Sequence, residues 1–327
     1  METSLMKAIV VSQPGGAEQL VYQDYETPTP NDNQILVKLK AIGINYIDIN
    51  FRSGAYKTEL PFIPGKEGCG EIVALGKNVQ HFKLGDRVAF CNGSSGSYAE
   101  YATVIADQAV PVPQGLSDEL AAAALLQGLT AYYLTHLTFQ LNKNHGALIH
   151  AGAGGVGQLL IQMAKSLGAN VISTVSTDTK ADLAKSAGAD HVINYANKEF
   201  ANQVMELTQN KGVNVVYDAV GKDTFDQSLK SLTTRGMLVL YGQASGPVPP
   251  IDLGVLSGKS LYITRPVLFN YIATRDELLT LSQALFDFIL HKGLRVQIGQ
   301  RYGLQDAMKA HKDLEERRTV GKSILLV

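Results

Sequence analysis

The chain has 327 residues, room for about two domains, and its 45% hydrophobic and 18% charged residues exclude a disordered protein and permit large cores. Its 29 basic and 30 acidic residues give a net charge of -1, with no run of five Lys or Arg, so a nucleic-acid-binding role has no electrostatic footprint. No apolar run approaches the ~18 residues of a membrane span, and residues 1–5 lack a secretory pattern, so a cytoplasmic protein is expected.

Up to about residue 125, short β-type runs alternate with Gly and Pro breaks. The runs fall at 7–11, 20–22, 34–39, 70–75, 86–90 and 98–104. Many short strands with regular breaks predict a barrel or sandwich. Two cysteines, Cys69 and Cys91, lie in this region, too few for a Cys-rich zinc lobe and expected to be buried and reduced. From 118 to 135 the pattern turns helical, with an Ala-rich run over 121–126 and Ser117 and Asp118 at its start to cap it.

Strands and helices then alternate. Strands are predicted at 147–149, 171–175, 191–194, 213–218, 237–241 and 261–264, with helices near 155–167, 178–187, 198–209 and 223–232. This repetition predicts an α/β unit with a doubly wound parallel sheet of the Rossmann type. Next comes an amphipathic helix carrying Leu278, Leu279, Leu281, Leu285, Phe286, Phe288 and Ile289. A closing strand at 323–327 is expected to return to the first domain. The expected domains are therefore 1–125 plus 267–327, and 126–266.

The strongest motif follows the strand at 147–149. Gly152, Gly154 and Gly157 fit G-x-G-x-x-G, and the helix behind them carries Val156, Leu159, Leu160, Met163, Ala164 and Leu167 on one face. The three glycines serve, in order, a tight turn, close approach to a pyrophosphate, and close packing of helix on strand. A motif after a strand and before a helix has the context that dinucleotide binding requires. The next strand ends Ser173-Thr174-Val175-Ser176-Thr177 with no acid, and Lys180 follows within a turn. A hydroxyl and a cation favour a 2′-phosphate, hence NADPH. The alternative is that Asp178 reads a ribose and Lys180 is a solvated helix residue.

A Gly-rich β domain, a Rossmann domain and a returning C-terminus together resemble the medium-chain dehydrogenase/reductase superfamily. Zinc enzymes of that superfamily hold their catalytic metal through a Cys, a His and a later Cys. Here Asn45 and Lys66 stand at the first two places and no third Cys appears, so no metal is expected. His145, His150 and His191 lack ligand spacing. The motifs at 41–48, 52–56, 128–134, 154–157, 192–195 and 216–218, with Arg265-Pro266 and Gly321-Lys322, are most similar to the zinc-independent NADPH:quinone oxidoreductases, the branch that includes ζ-crystallin.

That resemblance implies a GroES-like β-barrel catalytic domain beside the Rossmann domain, and reduction of a quinone by NADPH. It implies Asn45, Tyr46 and Tyr56 as catalytic hydrogen-bond donors near the nicotinamide. Asn50 and Thr130 are implied as cofactor contacts, Asn50 standing where relatives often carry Tyr. Gly154, Gly155, Val156 and Gly157 match the pyrophosphate turn, and Ser176, Lys180 and Tyr195 the 2′-phosphate site. Val220, Gly242 and Gln243 fall at strand ends, and Arg317 resembles a late cofactor contact. A homodimer paired through the strand at 260–264 is also implied. Reduction of activated alkenes, or NADPH binding without turnover, are the alternative activities on the same scaffold.

Overall fold

The chain divides into two units, Met1–Gln127 with Ala273–Val327, and Gly128–Ile272. The computed structural model describes residues 4–194 and 199–327. The changeovers fall at 127/128 and 272/273 rather than at 125/126 and 266/267. The first one lies inside a continuous helix, so no turn signal marks it.

The first unit begins with an antiparallel pair, β1 (Leu5–Val10) and β2 (Val21–Glu26). Strand β3 (Gln34–Gly43) leads to a short helix, α1 (Tyr46–Arg52), which the sequence pattern does not predict. Its buried face is Asp48, Ile49 and Arg52, and two charged residues on the inward face hide the apolar period on which a sequence reading depends. Strands β4 (Glu67–Leu75), β5 (Arg87–Phe90), β6 (Tyr101–Ile105) and β7 (Ala109–Pro111) follow. Helix α2 (Asp118–Tyr133) starts where Ser117 Oγ accepts the Leu120 N–H at 3.2 Å, as its capping position predicts.

The second unit alternates strand and helix: β8 (Gly146–Ile149), α3 (Gly155–Ser166), β9 (Asn170–Val175), α4 (Asp178–Ser186), β10 (His191–Asn194), α5 (Phe200–Leu207), β11 (Val213–Asp218), α6 (Phe225–Lys230), β12 (Leu232–Leu240) and β13 (Tyr262–Thr264). The sheet order is β10-β9-β8-β11-β12-β13, and each neighbouring pair is parallel. This is a doubly wound sheet whose order reverses between β8 and β11, and such sheets bind ligands at the carboxyl ends beside the reversal. Helix α3 buries Leu159, Leu160 and Met163 on it. Replacing any one of them by Ala costs about 2–5 kcal/mol.

The chain then returns to the first unit with α7 (Arg275–His291), β14 (Ile298–Gly303), α8 (Ala307–Glu315) and β15 (Lys322–Leu326). Strand β15 pairs parallel with β14 and antiparallel with β3, completing a sheet of order β14-β15-β3-β4-β5-β7 with β6 on β3. Its core includes Ile9, Ile35, Val37, Leu39, Phe90, Val104 and Leu325. Register places the start of β15 beside the end of β3: the Ile44 N–H donates to Ser323 O at 3.0 Å. The sequence pattern does not predict helix α8 either, because its buried residues are two alanines and His311, which give no apolar stripe.

Candidate active site

In the second unit, β8 ends at a turn that opens α3. Gly154 is the N-cap, with no side chain capping the helix. A Cβ on Gly157 would lie 2.2 Å from Ala151 O, whereas one on Gly154 would meet only Ala151 O, at 3.2 Å. Gly157 is thus fixed by packing, and Gly154 leaves open the face through which an anion approaches. The N–H groups of the first helical turn, with the positive end of the helix dipole, suit a pyrophosphate at Gly154, Gly155 and Val156.

Ser176 follows β9, and Lys180 sits in the first turn of α4, where its N–H donates to the N-cap Thr177 Oγ1 at 3.3 Å. Asp178, the alternative ribose reader, accepts the Asn194 side-chain amide at 2.9 Å. Tyr195 lies outside the described residues.

At the ends of β11 and β12 the organising residue is Asp218, which the sequence reading gives no role. Its Oδ1 accepts the N–H groups of Val220 (2.7 Å) and Gly221 (3.0 Å). Its Oδ2 accepts the hydroxyls of Thr224 (2.7 Å) and Ser228 (3.1 Å). His150 bridges Thr174 Oγ1 and Ser228 Oγ at 2.7 and 2.9 Å. Burial holds the imidazole below its ordinary pKa, against the pull of Asp218. Gly242 N–H reaches Asp218 O at 3.3 Å, and Gln243 Oε1 accepts from Arg265 at 2.9 Å. Val220, Gly242 and Gln243 are therefore together at the carboxyl end of the sheet, as their places after strand ends predict. Thr130 lies in α2, 8% exposed. An Asp closing an apolar strand is the available sequence signal for Asp218.

In the first unit, Asn45 precedes α1 and is 4% exposed. Its Nδ2 donates to Glu67 Oε2 (2.9 Å) and Gly43 O (3.3 Å), and its Oδ1 accepts from Lys322 Nζ (2.7 Å). Both amide hydrogens are used within the protein. The expectation of Asn45 as a donor to a bound substrate therefore meets an amide already satisfied. Glu67 and Lys322 are visible in the sequence only as members of motifs, because their pairing spans 255 residues.

The N–H of Asn45 donates to Asp48 Oδ2 (2.9 Å), which also accepts from Tyr98 (3.2 Å). Asp48 Oδ1 is buried with no hydrogen-bond partner among the described residues. Burial pushes the Asp48 carboxyl up to about 7. Tyr98 contacts His311 Nε2 at 2.9 Å, His311 Nδ1 contacts Arg52 at 3.1 Å, and Arg52 forks onto Glu315 at 3.0 and 2.6 Å. Burial and the Arg52 charge push His311 down to about 3.

Tyr46, at the start of α1, is 38% exposed. Partial burial raises its phenol above the ordinary value, helped by Glu315 and opposed by Arg317 and Arg52, so the fold brings Tyr46 and Arg317 into one electrostatic neighbourhood. Tyr56 N–H donates to Asn50 O at 3.0 Å, and its ring meets Phe51 edge-on with centroids 5.6 Å apart. The Tyr56 hydroxyl makes no hydrogen bond among the described residues, which leaves it available as a donor.

The donor set does not fit a catalytic zinc. At the places where the superfamily's zinc enzymes carry Cys and His stand an amide and an ammonium, and the neighbouring Glu67 carboxylate is already paired with the Lys322 ammonium. Cys69 and Cys91 are buried and unpaired, and burial raises both thiols.

Comparison with known proteins gives the same architecture. Residues 31–114 match the family described as alcohol dehydrogenase GroES-like domain, and residues 155–284 the family described as zinc-binding dehydrogenase. A quinone oxidoreductase of Pseudomonas aeruginosa is 44% identical over 98% of this chain and 100% of its own. The crystal structure of Escherichia coli quinone oxidoreductase complexed with NADPH has a TM-score of 0.95 at 44% identity, over 98% of this chain and 100% of that one. A 2-haloacrylate reductase of a Burkholderia species is 38% identical over 98% of this chain and 99% of its own.

Proposed function

This chain belongs to the zinc-independent quinone oxidoreductases of the medium-chain dehydrogenase/reductase superfamily, and on that premise we propose that it oxidises NADPH and reduces small quinones through the groups assigned below. The observation that carries the reading is the α3 N-terminus: an open glycine turn at the reversal point of a doubly wound sheet, beside a strand β9 that contains no acid.

NADPH, when bound, supplies the reducing hydride, and the protein supplies placement. The N–H groups of Gly154, Gly155 and Val156 hold the pyrophosphate, and Gly157 lets α3 pack close to the strand. Ser176 and Lys180, with Tyr195 next in sequence to β10, take the 2′-phosphate. Val220, Gly242 and Gln243 line the nicotinamide side, held in register by Asp218, and Thr130, Asn50 and Arg317 complete the cofactor contacts. The Tyr56 hydroxyl, with Tyr46, donates to the acceptor oxygen. Asn45 serves as a positioning residue, since its amide is spent on Glu67, Gly43 and Lys322. A quinone is electrophilic enough to accept without a Lewis acid, so a hydrogen bond to the developing oxyanion suffices.

Strand β13 lies at the sheet edge and Tyr262 on it is 56% exposed, which supports pairing with a second copy into a homodimer. No helix among the described residues is long and apolar enough to cross a membrane. Two unpaired buried thiols suit a reducing cytoplasm.

The test is loss of nicotinamide absorbance with benzoquinone as acceptor, using EDTA-treated protein and running NADH in parallel. Rapid turnover selective for NADPH supports the reading. Tight NADPH binding without turnover of any quinone overturns it and moves the acceptor to activated alkenes.

A further inference from the structure

The first unit contains a cavity of about 370 Å³. That volume lies within the range of small-molecule sites, roughly 300–1,000 Å³. Its wall includes Phe51, Phe62, Lys66, Ser94 and Ser95. Phe51 also meets the Tyr56 ring edge-on, so the cavity shares a wall with the tyrosine whose hydroxyl is unengaged.

Lys66 is the chemical feature of this wall. Its backbone is pinned, the Gly93 N–H donating to Lys66 O at 3.1 Å. Its ammonium lies 5.0 Å from the centroid of the Phe51 ring, a cation–π contact. Among the described residues no hydrogen bond or ion pair reaches that ammonium. The three N–H donors of a residue that lines the cavity are therefore bound by no acceptor among the described residues. The next residue does not neutralise it, because the buried Glu67 carboxylate is paired with Lys322 at 2.6 Å.

Charge and shape narrow the ligand. Glu26 and Glu59 also line the cavity, and neither pairs with Lys66. Two carboxylates against one ammonium repel a permanently anionic molecule while leaving a neutral carbonyl acceptable. Walls supplied by Phe51 and Phe62 suit a flat ring.

We propose that this cavity seats the acceptor, and that Lys66 is a catalytic residue donating a hydrogen bond to one carbonyl oxygen of a neutral quinone. The inference rests on the quinone-reductase reading. In the reaction the quinone gains two electrons and one proton from NADPH, which becomes NADP+. One ring oxygen is then anionic, and a proton from water neutralises it to give the hydroquinone. The Lys66 charge stabilises that anion while it forms.

The experiment compares the parent with Lys66→Met, Lys66→Arg and Ser94→Trp under steady-state turnover of NADPH with benzoquinone. Removing one oxyanion donor from an enclosed site costs about 10²–10³ in rate, so a half-buried Lys66 is expected to be worth about tenfold or more in kcat/KM. Lys66→Met should show that loss with the KM for NADPH unchanged, and Lys66→Arg should recover most of it. Ser94→Trp, which fills the cavity, should raise the KM for the quinone alone. A sulfonated naphthoquinone should be a poorer acceptor than the unsubstituted compound, and the reverse order overturns the neutral-acceptor assignment. Lys66→Met and Ser94→Trp variants that keep parental constants overturn the Lys66 and cavity assignments while leaving the enzyme a quinone reductase. A parent that binds NADPH and reduces no quinone overturns both.

Discussion

Lys322 Nζ lies 2.6 Å from Glu67 Oε2, with the two side chains 1% and 0% exposed. Asn45 closes the triangle from the third side, and Leu126 N–H occupies the other Glu67 oxygen at 2.6 Å. The pair ties the start of β15 to the start of β4 and fixes the residue that opens α1.

Removing one member of this pair leaves a buried charge uncompensated, which costs about 3–5 kcal/mol. Lys322→Met alone and Glu67→Gln alone are each expected to lower Tm sharply. The double variant, with no charge left, is expected to recover most of the loss. Thermal melts of the three variants check this, and a Lys322→Met protein as stable as the parent would show that the pair does not hold the fold.

Asp48 and His311 give stability two opposed pH dependences. The Asp48 carboxyl is raised from 3.8 to about 7 in the fold, so between those values the folded state holds more protons than the unfolded state. Its contribution is complete below about pH 4 and is lost as pH rises toward 7. His311 is lowered from 6.5 to about 3, so the unfolded state holds more protons across that window. Its contribution is complete above about pH 6.5 and is lost as pH falls toward 3. Asp48→Asn should therefore remove the loss on the alkaline side, and His311→Gln the loss on the acid side. Melts between acid and neutral pH read both slopes, and a parallel shift of the whole profile would contradict the assignment.

The two glycines of the α3 turn should separate packing from binding. A methyl at 157 collides with Ala151 O, so Gly157→Ala is expected to cost several kcal/mol, within the order seen for overpacking of ~1–3 or more. Gly154→Ala meets Ala151 O at 3.2 Å, a tight contact but longer than the 2.2 Å at 157, and should lower Tm much less than Gly157→Ala while binding NADPH about tenfold or more weakly, because the methyl stands where the pyrophosphate approaches. Fluorescence titration with NADPH, beside the melts, reads the two effects separately.

Lys180→Ala tests the cofactor choice. Losing a charge-assisted bond to the 2′-phosphate should weaken NADPH about tenfold or more and leave NADH nearly unchanged. Equal losses for the two cofactors would remove Lys180 and Ser176 from the 2′-phosphate site.

What the sequence determined by itself was the part governed by local pattern. Alternating strand and helix periods, and a glycine motif set between a strand and a helix, fix the doubly wound unit, because periodicity and turn chemistry act over a few residues. The positions of Ser176, Lys180, Val220, Gly242 and Gln243 after strand ends follow from the same local pattern. The tertiary structure alone decided the rest. Helices α1 and α8 bury Asp48, Arg52 and His311, whose side-chain partners lie 50 to 263 residues away, and no local period encodes such faces. Asn45 reads as a donor in the sequence, yet β15 returns to β3 and delivers Lys322 to it across 277 residues. Pairing over such distances follows from strand register, and register exists only once the sheet has formed.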